Sequence, residues 1–308
     1  MRKGRTEARR RFDAARAVTL CAPLLGLAAF AVLEWVDWGA DRDTRARGGA
    51  DEFAVWEFLV TASVVAWAVL AGLGLRLLHE LAARGEWADV ARRRRETALF
   101  VLYVYVAIAI VLMAGGLRNP FVMAGQDWKV PLLHVVAGIA NLPLLLVLKR
   151  IQLQASDAAD WSTTARDLER LRFLRRCTQT ATAALGLVIA LAVIATGALR
   201  EATAAAQLTP VPDTFVLVYG AWFTGVVAAV YLHVFGALEA RGRWMLDQIA
   251  PLPDVVPAST DAFLSTRALR HELAGELELG GDPRRNLEGL LAVLAPLVAA
   301  LLTRLGGL

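Results

Sequence analysis

The side chains best able to do chemistry in this sequence are ionisable groups set in or beside long apolar stretches. Glu34 and Asp37 close one such stretch, Glu57 lies about one helical turn inside the next, and His134 about one turn inside a later one. An ionisable group in hydrocarbon is costly, so its presence is by default a functional hypothesis. Clustered carboxylates attract cations, and a histidine titrates near neutrality. Brought together, Glu34, Asp37, Glu57 and His134 would form a cation vestibule or proton site. Kept apart, each would snorkel to nearby headgroups. Asn141 lies deeper, two residues before Pro143. Its amide either hydrogen-bonds a neighbouring helix or, with the carbonyl that Pro143 frees, marks a hinge or broken-helix binding point.

Other reactive types carry less. His79 and His233 fall at the ends of two apolar stretches, but nothing in the sequence supplies the further support that a metal or haem site needs. Cys21 and Cys177 are isolated and form no CxxC, so a disulfide framework or metal cluster is not expected. There is no HExxH, GxSxG, GxxxxGK[ST] or GxGxxG pattern. The expectation is a protein that is not an enzyme and needs neither cofactor nor metal.

The elements that must position these residues are membrane spans. The chain is 57% hydrophobic and 20% charged, more apolar than an ordinary soluble protein. Six apolar stretches, 17–36, 54–75, 98–117, 130–148, 179–198 and 214–238, each reach the length of about 20 residues that crosses a bilayer as a helix. Lysine and arginine number seven, six, seven and seven in segments 1–16, 76–97, 149–178 and 239–308, against three, two and one in 37–53, 118–129 and 199–213. Positive charge is retained in the cytoplasm, so both termini are predicted inside. Trp35, Trp38, Trp56 and Trp128 fall at the predicted outer interface as aromatic anchors. The first stretch also has a basic lead like a signal peptide, although its length and Glu34–Asp37 argue for a span. Arginine outnumbers lysine 30 to 3, which suggests a GC-rich bacterial source and an inner-membrane location.

The cytoplasmic side holds the longer connections. In 149–178, Ala158, Trp161, Ala165, Leu168, Leu171 and Leu174 recur at helical spacing, predicting an amphipathic helix that runs unbroken into the fifth span. Residues 76–97 should likewise extend the second span and lead into the third, giving two helical hairpins below the membrane. HELAARGEW at 79–87 and GALEARGRW at 236–244 share five of nine positions, a weak sign of duplication. Arg92, Arg93, Arg94 and Arg95 form a juxtamembrane cluster suited to anionic lipid headgroups; nucleic acid is not an expected partner.

The tail, 251–308, is predicted to be cytoplasmic and helical. Ser259-Thr260-Asp261 opens one helix that Gly280-Gly281 closes, and Asp282-Pro283 opens another. The second helix is apolar all round from Gly289 to Leu302, with Pro296 in its middle. Fourteen apolar residues are short for a span. Three placements stay open for it: packed on the hairpins or a neighbouring subunit, laid in the membrane interface, or inserted as a seventh span.

The fold expected is therefore an all-α six-span bundle with cytoplasmic hairpins and a helical tail. The function expected is an oligomeric channel or pore whose outer mouth carries Glu57 and His134. A membrane-anchored scaffold that recruits a cytoplasmic protein through 251–308, or a small-solute transporter, are the alternatives. Glycines 72, 74, 220 and 225 are expected at close helix crossings.

Overall fold

The computed structural model describes residues 50–84, 90–116, 129–157, 161–162, 164–205, 213–251, 260–277, 279 and 283–306, with Cys21, Leu24, Ala28 and Ala31. Every regular element among these is helical. The helices are α1 (Ala50–Arg84), α2 (Val90–Gly116), α3 (Lys129–Ser156), α4 (Ala165–Ala205), α5 (Asp213–Ile249), α6 (Thr260–Glu276) and α7 (Pro283–Gly306). Among the described residues four helices, in α1, α3, α4 and α5, are long and apolar enough to cross a membrane. The predicted span 17–36 lies outside the described residues. The predicted span 98–117 falls in α2, most of whose later side chains are also outside them. Four of the six predicted spans thus correspond to candidate spans among the described residues.

The most buried of the four, α4, is central, with α1, α3, α5 and α7 packed around it. Its core face is built from small residues, including Ala181, Ala184, Gly186, Ala190, Gly197, Ala198 and Ala202. In hydrocarbon no hydrophobic force draws helices together, so close approach over small residues and van der Waals contact must do so. Against α1, Trp67 donates its indole N–H to the Val188 carbonyl at 3.0 Å. Between α1 and α3, a β-carbon on Gly74 would come within 2.8 Å of Pro143 and 3.1 Å of the Leu144 nitrogen. Gly74 and Gly220 are therefore crossing points, as predicted. Gly225 is not, since nothing lies within 4 Å of its missing β-carbon.

The connection between α3 and α4 departs from the predicted continuous helix. The helix starting at Ala165 does run unbroken into the apolar stretch, but α3 stops at Ser156. Thr164, three residues before Asp167, opens α4 through a capping arrangement. The Asp167 carboxylate accepts hydrogen bonds from the Ser162 N–H (2.9 Å), the Ser162 hydroxyl (2.6 Å) and the Thr164 hydroxyl (3.0 Å). Trp161 fits the helical period yet belongs to this turn. It is buried, donates its indole N–H to the Gln154 carbonyl at 2.8 Å, and lies under the guanidinium of Arg170 at 4.6 Å.

Arg241 completes that end of the bundle. Its Nε donates to the Ala155 carbonyl at 2.8 Å, and its guanidinium lies 5.4 Å from the Trp161 ring and 5.0 Å from the Trp244 ring. The sequence similarity of 236–244 to 79–87 therefore includes a packed Arg-Gly-x-Trp unit in the second copy. In the first copy, 85–87 lie outside the described residues.

The predicted starts of α6 and α7 hold to the residue or nearly so. Helix α6 is tied to the same end of the bundle by Arg172–Glu276 (2.7 Å) and Arg270–Asp247 (2.5 Å). Helix α7 packs along α4 and α5, beside residues of their apolar stretches. A β-carbon on Gly186 would meet the Ala292 carbonyl, one on Gly197 would meet Thr303, and one on Gly220 would meet Ala300 and Pro296.

Candidate functional site: a cavity within the apolar bundle

A cavity of about 410 Å³ lies between α1, α2, α3, α4 and α5. Its walls are mostly apolar and aromatic. They include Trp56 and Trp67 from α1, Tyr105 from α2, Val188 and Leu199 from α4, and Tyr219 and Phe223 from α5. It lies toward the end of the bundle opposite the arginine-rich one, since His134 opens the α3 stretch while Thr196 and Leu199 close that of α4. Val135 and Ile139 also line it and are 58% and 68% exposed. The cavity therefore reaches the surface of the bundle beside α3.

A few polar groups converge on this apolar space. His134 Nε2 and the Tyr219 hydroxyl are hydrogen-bonded to each other, and their rings meet edge to face at 5.6 Å. Tyr219 also stacks edge to face on Phe223 at 4.7 Å. The Thr196 hydroxyl donates to the Ala192 carbonyl at 2.8 Å, which satisfies its proton within its own helix. The Tyr105 hydroxyl donates to the Gly138 carbonyl at 2.5 Å. That bond joins α2 to α3 at the residue before Ile139, whose carbonyl Pro143 leaves without a helical N–H.

Asn141 differs from the rest. Its Oδ1 is buried and has no hydrogen-bond partner, although the residue lines the cavity. A buried amide oxygen without a donor costs about 1–3 kcal/mol, and such an atom in a native fold needs an explanation. The interhelical hydrogen bond expected of Asn141 is not made by this oxygen.

The predicted site residues thus separate. His134 and Asn141 come together in one cavity, with Pro143 at the α1–α3 crossing below them. Glu57 is 3% exposed, but it is not among the cavity's lining residues. Its neighbour Trp56, expected at the interface, is instead 1% exposed and forms part of the wall. Glu34, Asp37, Trp35, Trp38 and Trp128 lie outside the described residues. Arg94 and Arg95 are exposed at the start of α2, while the side chains of Arg92 and Arg93 lie outside the described set. Cys177 is buried in α4 and Cys21 is exposed.

Tyr219, Thr196 and Phe223 were not singled out by sequence. Each is an ordinary residue in an apolar stretch, and only the pairing of α3, α4 and α5 gives it a role. The aromatic spacing Phe215, Tyr219, Phe223 on one face of α5 is the signal that could have drawn notice.

The chain matches no protein-family model, no curated protein and no solved structure. The class that the described residues define is an all-helical one, with four apolar helices among them compatible with an integral membrane protein.

Proposed function

We propose that this chain is a membrane protein that binds a small, mostly apolar molecule bearing a hydrogen-bond donor, taken up from the surrounding lipid into the cavity between α1 and α5. The observation that carries this reading is the buried, partnerless Oδ1 of Asn141, a residue that lines a mostly apolar cavity. Binding sites for small molecules have this composition: a concave apolar surface of about 300–1,000 Å³ with few, placed polar groups. A ligand hydroxyl or amide N–H donating to Asn141 would remove the cost of the buried oxygen, while its hydrocarbon part fills the space beside Trp67 and Phe223. The exposed flank at Val135 and Ile139 supplies a route from the bilayer. If 76–97, 149–178 and 239–251 are cytoplasmic, the cavity lies in the outer half of the membrane, and the protein acts as a receptor or carrier for lipid-soluble molecules.

The pore reading is less well supported. It requires Glu57 at a water-filled mouth, and Glu57 is buried away from the cavity lining. Homo-oligomerisation, anionic lipid at Arg94 and Arg95, and a cytoplasmic protein partner on the tail are compatible with the ligand-binding reading and are not needed for it.

The test is quenching of tryptophan fluorescence by a bromoalkanol in lipid nanodiscs. Trp56 and Trp67 line the cavity, so occupancy should quench saturably above the linear effect of bilayer partition. Ala192→Phe should fill the cavity and remove the saturable part. A purely linear titration of the wild-type protein would refute a discrete site.

A further inference from the structure

Helix α7 runs parallel to α4 in a fixed register. Ala292 meets Gly186 and Thr303 meets Gly197, so eleven residues along one helix match eleven along the other. Against α5 it runs antiparallel. Gly289 meets Tyr231 and Ala300 meets Gly220, again eleven residues on each. Two neighbours of opposite direction thus give the same placement.

That register sets depth. It brings residues 285–304 of α7 level with 179–198 of α4, the stretch that is itself long enough to span. Arg285 stands at one end of the matched segment and Arg304 at the other. Between them, nineteen steps of 1.5 Å give about 29 Å, against a hydrocarbon core of about 30 Å. The large hydrophobic side chains exposed along the described part of this segment are Leu290, Leu291, Val298, Leu301 and Leu302, all between 42% and 58% exposed. An apolar face of that kind would be an aggregation liability in water and is an ordinary lipid contact in a bilayer.

The interior proline is also accommodated by the neighbours. Pro296 has no N–H for the carbonyl of Ala292, four residues earlier. That carbonyl oxygen points at Gly186, within 2.2 Å of where a β-carbon would stand. The next N–H, from Leu297, donates to the Thr224 hydroxyl of α5 at 3.1 Å. Freed backbone groups in membrane helices survive when adjacent helices and hydroxyl side chains cover them.

We infer that α7 is a full membrane-spanning helix, with hydrocarbon lipid covering its Leu290–Leu302 face, and that the two ends of α7 lie on opposite sides of the membrane. The stretch reads as too short because Asn286 and Glu288 are polar. Arg284 and Arg285 precede the apolar part of α7 in the sequence, and the charge asymmetry survives the transfer of Arg304 alone.

Two short epitope tags test this in the full chain. One is inserted between Gly280 and Gly281, the other added after Leu308. Protease is applied to intact spheroplasts and to lysed ones, and each tag is followed on a denaturing gel. The inference expects the Leu308 tag to be removed from intact spheroplasts while the Gly280 tag is lost only after lysis. Loss of both tags under the same condition, intact or lysed, would place both ends of α7 on one side and overturn it.

Discussion

The carbonyl oxygen of Ala292 occupies the space that a β-carbon on Gly186 would need. No rotamer change relieves this contact, because the obstructing atom is backbone. Gly186→Ala should therefore force α7 away from α4 and cost about 1–3 kcal/mol, the usual range for overpacking. Gly225→Ala is its control. Nothing lies within 4 Å of that position, so the change should be neutral or gain up to about 1 kcal/mol in helix propensity. Thermal unfolding of both variants in detergent checks the pair. An unchanged midpoint for Gly186→Ala would mean that α7 does not pack as described.

Asn141→Leu tests whether the amide supports the fold. Its Oδ1 has no partner, and replacing an unsatisfied buried polar group by an apolar one of similar shape is neutral to stabilising. The unfolding midpoint should stay level or rise. A loss of more than about 1 kcal/mol, the typical value of an interhelical hydrogen bond at its upper end, would return Asn141 to a helix-joining role.

Arg241→Lys keeps the charge and removes the planar fork. The Nε bond to the Ala155 carbonyl and the guanidinium faces over Trp161 and Trp244 would all be lost. Arginine and lysine are not equivalent at a stacked site, and the expected loss is about 1–3 kcal/mol from one hydrogen bond and its ring contacts. Arg243→Lys, whose partner Glu239 is met at 3.3 Å with the arginine side chain 70% exposed, should change stability by less than about 0.5 kcal/mol. Equal effects at the two positions in unfolding measurements would contradict the account of this end of the bundle.

Asp167, well before the apolar part of α4, links that end to pH. Burial pushes its carboxyl up, but hydrogen bonds from Ser162 and Thr164, with the charge of Arg170, outweigh this and hold it below its ordinary 3.8. A carboxyl lowered in the folded state stabilises above its unfolded value and loses that contribution as pH falls through the folded one. Hydrogen exchange at 164–168 should accelerate as pH drops below 3.8, after correction for intrinsic rates. Asp167→Asn should remove this pH dependence; an unaltered profile would detach the carboxylate from the cap.

The legible and illegible parts of this fold divide along physical lines. Helix starts at Thr260 and Pro283 follow from local capping chemistry, which the sequence carries within a few residues. The turn before α4 was also encoded, by Thr164 and Asp167, but the helical spacing of Ala158 and Trp161 pointed the other way. Helix α7 was ambiguous because its length is read from apolarity alone, whereas its placement depends on Gly186, Gly197 and Gly220 a hundred residues or so upstream. His134 and Asn141 stood out as polar residues in apolar stretches. Tyr219, which pairs with His134, and Thr196, which lines the same cavity, did not, since a hydroxyl on an apolar helix carries no mark of what it will face.

The most direct measurement of the central claim is ligand preference at Asn141. In nanodiscs, a bromoalkanol and a bromoalkane of equal chain length are titrated against wild-type protein and Asn141→Leu, reading saturable tryptophan quenching. A donor-bearing ligand at the buried oxygen predicts tighter binding of the alkanol to wild type, by about tenfold for one hydrogen bond of 1.4 kcal/mol, and loss of that preference in Asn141→Leu with alkane binding retained. Equal affinity for both ligands in the wild-type protein, or a preference that survives the substitution, would contradict the proposed site.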